Sequence, residues 1–194
     1  MRSTEGVDVM RQVAATCVLV LAFCVSLGLL GSHLRRRRGR GAADMRLLVG
    51  LPLLVAYAYG VLLLTVLGRT SGAVRTAKLE LFWSYRESLA LVAGGLSVTN
   101  AGLLAEILLN VLLFVPMGAL LPFLLPSLTK RGRVRRGIAM VCLVACACSL
   151  SVELVQWCFR LGLFEFDDVL DNTLGAAAGY AIYLLVQRQP WRRR

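Results

Sequence analysis

Five apolar runs constrain this chain more than any other feature. They cover residues 13–30, 47–67, 102–125, 138–159 and 169–186. About 20 apolar residues cross the hydrocarbon core of a bilayer as a helix. A helix also satisfies its own backbone hydrogen bonds, which lipid cannot do. Composition agrees. The chain is 58% hydrophobic, against about 45–50% for a soluble domain. The expected fold is therefore all-α: a polytopic membrane helical bundle of about five transmembrane helices.

Charge gives the expected orientation. The formal net charge is +11, but the arginines sit in clusters between apolar runs. That pattern suits anchoring at anionic membrane surfaces rather than nucleic-acid binding. Of the 22 Lys and Arg residues, 15 follow the first, third and fifth runs and 7 lie on the other side. The positive-inside rule then puts the N-terminus outside and the C-terminus in the cytoplasm. The first run has acidic residues before it and Arg35–Arg38 after it. A cleaved signal has the opposite arrangement, so this run reads as a retained anchor.

Cysteine and histidine offer little chemistry. Cys17, Cys24, Cys142, Cys146, Cys148 and Cys158 all lie inside apolar runs and read as small buried hydrophobes. No CxxC pair or neighbouring His gives a zinc pattern. His33, the one histidine, stands beside the arginine run and reads as interfacial. No metal site and no cofactor is expected.

The acidic residues are more informative. FEFDDVLDN, residues 164–172, holds Glu165, Asp167, Asp168 and Asp171. The chain has only 11 Asp and Glu in all. With the orientation above, this stretch lies at the outer face. Glu106 and Asn110 fall near the outer end of the third run. Glu153 and Gln156 fall near the outer end of the fourth. Ser149, Glu153, Gln156 and Arg160 are spaced 4, 3 and 4, which places them on one helix face. Charge inside a membrane is costly and persists where it meets a partner, water or the bundle interior. Glu106, Asn110, Glu153, Gln156, Asp167, Asp168 and Asn172 are thus the candidate ligand-binding residues. A local explanation competes. Asp168 as N-cap and Asp171 three residues on resemble a capping box, and Arg160 or Arg86 would neutralise the remaining acids.

Three smaller features complete the reading. Gly175-x-x-x-Gly179 permits close helix packing. Pro116 frees a carbonyl one turn earlier, at Leu112, and either opens a kink or is accommodated by neighbouring helices. KLELFWSYRESL, residues 78–89, reads as an interfacial helix over the outer end of the bundle.

Together these motifs resemble the VanZ-like family of bacterial membrane proteins. The resemblance rests on Asn110, Phe114, Pro116 and Gly118 in NVLLFVPMG. It continues in Glu153 and Gln156 of ELVQ, and in Asp167, Asp168, Asn172, Thr173 and Gly175 of DDVLDNTLG. FWSY at 82–85 is similar to a further family segment. Five positions depart from the pattern. Lys78 and Leu81 stand where the loop often has Asn and Pro. Glu165 stands where Asp is common, Asp171 where an apolar residue is usual, and Gly162 where an Arg is frequent. The implied organisation is an N-terminal two-helix membrane region over 1–78, a VanZ-like membrane domain over 79–186 and a basic cytoplasmic tail over 187–194.

The resemblance implies a multi-pass bacterial plasma-membrane protein and a link to teicoplanin resistance. Teicoplanin is a glycopeptide antibiotic that acts at the outer face of that membrane. The favoured expectation is a non-enzymatic protein surrounded by membrane lipids. Its outer polar site would bind the antibiotic, a lipid headgroup or a cell-wall precursor. The alternative is a membrane enzyme in which Asp167 and Asp168 hold Mg²⁺ against a lipid-linked phosphate, with Glu153 as base. No His, Ser or Cys stands in a nucleophile arrangement. A structural protein whose acids merely cap and pair is the third class. A transporter is a weaker fourth, because the chain has no internal repeat.

Overall fold

The fold is described from a computed structural model, covering residues 42–69, 71–72, 74–93, 98–130 and 132–188. The first apolar run, Cys17, Cys24, His33 and the basic tail beyond 188 lie outside the described residues. Five α-helices follow one another: α1 Ala42–Leu62, α2 Trp83–Ala93, α3 Val98–Leu124, α4 Val134–Phe159 and α5 Phe166–Arg188. A π-helical turn, Leu63–Leu67, extends α1. Strands β1 (Ala77–Lys78) and β2 (Phe164–Glu165) form a two-stranded parallel ladder.

Among the described residues, four helices are long and apolar enough to cross a membrane: Val49–Leu67, Gly102–Leu124, Val134–Phe159 and Phe166–Gln187. They coincide with the last four apolar runs. Their burial pattern is that of a lipid-exposed bundle. Leu51 and Val55 on α1, Leu143 on α4 and Leu185 on α5 are exposed, while Ser149, Glu153, Gln156, Asp171 and Asn172 are buried. Water would favour the reverse distribution.

Hydrocarbon provides no hydrophobic drive between helices, so close packing holds them together. The closest packing joins α3 to α5. A Cβ added at Gly175 would overlap the carbonyl oxygen of Val111, and one at Gly179 that of Val115. One at Gly118 would overlap the carbonyl oxygen of Ala176. Moving four residues along one helix moves four along the other, so α3 and α5 run parallel. Helix α4 runs against them: Asn172 meets Ser149, and Tyr180 meets Gly137 further along. Val61, Leu113, Phe114, Met117, Val141, Ala145, Ala176 and Tyr180 fill the core between these helices.

Pro116 and Pro122 lie within α3, which continues unbroken to Leu124. The Tyr57 hydroxyl donates to the Leu113 carbonyl at 2.9 Å, tying α1 to α3 beside Pro116. At the basic end, buried Tyr180 donates to the carbonyls of Leu128 and Val134 at 2.8 and 3.3 Å. It thereby clamps the α3–α4 turn.

The α3–α5 contact predicts a sharp contrast. Gly179→Ala drives a methyl into the Val115 carbonyl and costs about 1–3 kcal/mol. Gly102→Ala has nothing within 4 Å to meet and should be neutral or slightly stabilising. Thermal unfolding of the two purified variants in one detergent checks this. Equal melting temperatures would show that the close approach is not required.

Candidate functional site

The acidic end of the bundle is built around Asp167. This carboxylate is fully buried, in the first turn of α5. It reaches across to the start of α2. Oδ1 accepts from the Phe82 amide at 2.6 Å, and Oδ2 from the Ser84 amide and hydroxyl at 3.0 and 2.6 Å. The first amides of any helix lack intrahelical partners. Asp167 supplies them from a residue 85 positions away and adds a negative charge where the helix dipole favours one. Phe82, which precedes α2, has φ 63°, a left-handed conformation that costs a non-glycine residue energy. The Asp167 bonds offset that cost.

One turn along α5, buried Asp171 accepts from the Tyr85 hydroxyl. Burial raises the Tyr85 pKa first, and the hydrogen bond and charge of Asp171 raise it further. Two carboxylates of α5 therefore hold α2 in place. The structure corrects the capping box on this point. Helix α5 starts at Phe166, so Asp168 lies inside its first turn rather than at the N-cap. Acidic residues lower local hydropathy and mimic a loop, yet they suit a first helical turn.

The loop between α1 and α2 is fastened to the end of α4. Ser71 Oγ donates to the Phe159 carbonyl at 3.0 Å, the Gly72 amide to Arg160 at 2.7 Å and Arg75 to Cys158 at 3.3 Å. Each acceptor is a terminal carbonyl that α4 leaves unsatisfied. Beyond them the loop pairs with β2, in register Ala77 with Phe164 and Lys78 with Glu165. Gln156 is buried and donates to the Thr65 carbonyl at 2.8 Å, at the end of the π-helical turn. The interfacial helix expected over 78–89 begins only at Trp83, because Ala77 and Lys78 are occupied as a strand.

Glu153, Glu165 and Asp168 surround what remains. Glu153 is buried, and its Oε2 accepts from the Glu165 amide at 3.1 Å. The Glu165 side chain is also buried. Its carboxyl is pushed up to about 7, chiefly by desolvation, then by the charges of Glu106 and Glu153. Asp168 is half-buried. Glu106, on α3, is exposed and joins the group through its field. Asn172 is buried, and its Nδ2 donates to Ser149 at 2.8 Å. Asn110 is half-buried, with Nδ2 unpartnered.

The seven candidates thus divide by environment. Asp167 and Gln156 are committed to protein partners. Glu153 and Asn172 are half committed. Asp168 has no hydrogen-bond or ion-pair partner among the described residues. Glu165, Asp171 and Tyr85 were not among the candidates, although Glu165 and Asp171 belong to the same acidic run. Arg160 does not extend the polar face of α4. It follows the helix as a left-handed cap, φ 59°. Arg86 pairs with exposed Glu80 at 2.9 Å, away from the cluster. Arg69 is the cation the sequence did not flag. Its Nη1 lies 2.6 Å from where a Cβ at Gly162 would stand, so the guanidinium holds the space that a side chain at 162 would claim.

Two outcomes are expected. Asp167→Asn loses a charged acceptor at three bonds and should cost about 1–3 kcal/mol, whereas Asp168→Asn breaks no protein hydrogen bond and should melt close to wild type. Melting curves of both variants decide this; an equal loss in both would sink the division of roles. The second outcome concerns pH. The folded pKa of Glu165 is raised above its unfolded value, so its contribution to stability is fully present at acidic pH. That contribution is lost as pH rises toward about 7. The wild-type melting temperature should fall over that window, and Glu165→Gln should flatten the fall. Parallel wild-type and mutant profiles would count against it.

Comparison with protein families agrees with the geometry. The family model described as VanZ/LLP1 matches residues 53–187. That segment holds the last ten residues of α1, α2–α4, α5 as far as Gln187 and every residue of the acidic end. No curated protein and no solved structure matches the chain. With most of its length inside that match, the chain belongs to the VanZ/LLP1 family.

Proposed function

We propose that this VanZ/LLP1 protein is a non-enzymatic component of the bacterial plasma membrane. Its acidic end opens at the outer face. There it binds a glycopeptide antibiotic, a lipid headgroup or a cell-wall precursor, and so contributes to teicoplanin-type resistance. One observation carries the reading. Glu153, Glu165 and Asp168 lie at one end of the bundle with carboxylate oxygens that no group among the described residues satisfies. An acid that serves only the fold ends in protein partners, as both oxygens of Asp167 do. Ligand-free carboxylates among buried residues cost stability, and binding offsets such a cost. The side on which the site opens follows from the distribution of Lys and Arg over the loops.

Teicoplanin susceptibility tests the reading. A sensitive Gram-positive host expresses wild type, Asp168→Asn or Glu153→Gln at matched membrane abundance. Wild type should raise the inhibitory concentration several-fold, and both variants should lose most of that protection. Absence of protection at verified expression would remove resistance from the account. Protection that survives both substitutions would remove the acidic site from it.

A further inference from the structure

Apart from the unpartnered Asn110 Nδ2 and Trp83 Nε1, the free atoms of the acidic end are carboxylate and amide oxygens. This inference rests on the binding reading above and concerns what the site would hold. Glu165 is 8% exposed, and its carboxylate takes no hydrogen bond and no ion pair among the described residues. Glu153 is 2% exposed and engages only Oε2. Asp168 engages neither oxygen. None of these free oxygens is sealed from solvent. Asn172 lies one turn beneath Asp168 on α5, and Ser149 one turn beneath Glu153 on α4. Their hydrogen bond lies one turn below these oxygens, and the sealed Oδ1 of Asn172 is a further unpartnered acceptor.

The three carboxyl groups hold no cation among themselves, and two of the nearby cations are engaged elsewhere. Lys78 Nζ stands 3.3 Å above the Trp83 ring. Arg75 lies over Trp157 and donates to the Cys158 carbonyl. Arg69 rests beside Gly162 without an ion pair to any described carboxylate. Carboxylates this desolvated need positive charge and hydrogen-bond donors together. The acids do not converge as ligands for a metal ion: among the described residues no three His, Cys, Asp or Glu side chains are grouped to hold one. An ammonium stands about 2.7–2.9 Å from each acceptor, against about 2.0–2.6 Å for a hard metal ion, so it accepts a wider set of oxygens.

We infer that these carboxylates receive a primary ammonium group, its three N–H donors shared among Glu153 Oε1, Glu165 and Asp168. A trimethylammonium carries the charge without donors, and an acetylated amine keeps a donor without the charge. Both fit poorly. A primary amine is available on a lipid headgroup, an antibiotic or a cell-wall precursor, so the chemistry is shared and the source is a separate question.

Thermal-shift titration of the full-length protein in detergent separates these cases. The probes are dihexanoylphosphatidylethanolamine, its N-acetyl derivative, dihexanoylphosphatidylcholine, the lipid-free amine cadaverine, and Mg²⁺. The phosphatidylethanolamine should raise the melting temperature saturably. Its N-acetyl and choline counterparts should bind roughly tenfold more weakly or worse. Asp168→Asn, which breaks no protein bond, should weaken the amine roughly tenfold, and Glu165→Gln should do likewise. Stabilisation by cadaverine as well supports an amine from any source, and by the lipid alone a headgroup amine.

Equal response to amine and N-acetyl forms overturns the inference. So does indifference to Asp168→Asn, no response to either amine, or stabilisation by Mg²⁺ alone. The susceptibility assay fails independently. Protection that depends on Asp168 without amine selectivity keeps the site and discards the ammonium. Amine binding without protection keeps the ammonium and discards resistance.

Discussion

Backbone lies against backbone between α3 and α5, and the rest of the bundle is arranged around that contact. Gly118, Gly175 and Gly179 leave no room for a side chain between the helices. In lipid, this closeness replaces the hydrophobic drive that folds a soluble core. It also fixes α5 in rotation. With Gly175 and Gly179 turned to α3, Asn172 is turned to Ser149 on α4, and Asp167 and Asp171 to α2. The polar groups are placed by a packing event that involves no polar side chain.

The acidic end then assembles from chain-distant pieces. Helix α5 supplies the acceptors that start α2, and the α1–α2 loop supplies the donors that finish α4. Each helix end lends hydrogen-bonding capacity to another, so no single element of the site is stable in this form alone. That interdependence separates two kinds of acid in one nine-residue run. Asp167 and Asp171 are structural, bound to Phe82, Ser84 and Tyr85. The carboxylates of Glu165 and Asp168 have no partner among the described residues.

The spans were legible in the sequence because hydropathy reports directly on what lipid tolerates. The shared face of Ser149, Glu153 and Gln156 was legible because helical spacing alone determines it. The glycine spacing in α5 was legible as packing, although the partner helix was not. The role of Asp167 was hidden, since its partners lie 83 and 85 residues away and no local pattern encodes a cap supplied by another helix. Arg160 misled for a related reason: spacing assumes that the helix continues, and a left-handed residue ends it. Arg69 escaped notice because its place beside Gly162 depends on how the loop folds back. Local order was readable and long-range hydrogen bonding was not.

The fastening of the α1–α2 loop to α4 has a consequence for the thickness of membrane the bundle accepts. A helix that ends in bare carbonyls must bring that end to water. Helix α4 carries its acceptors' partners with it, in Ser71, Gly72 and Arg75. Its end is therefore free to sit below the lipid headgroups, with the loop as a built-in substitute for the aqueous layer. Hydrophobic length at this end becomes a property of the loop rather than of the helix. A bundle made this way tolerates a thicker bilayer without tilting α4, and the packing that orients the carboxylates is left undisturbed.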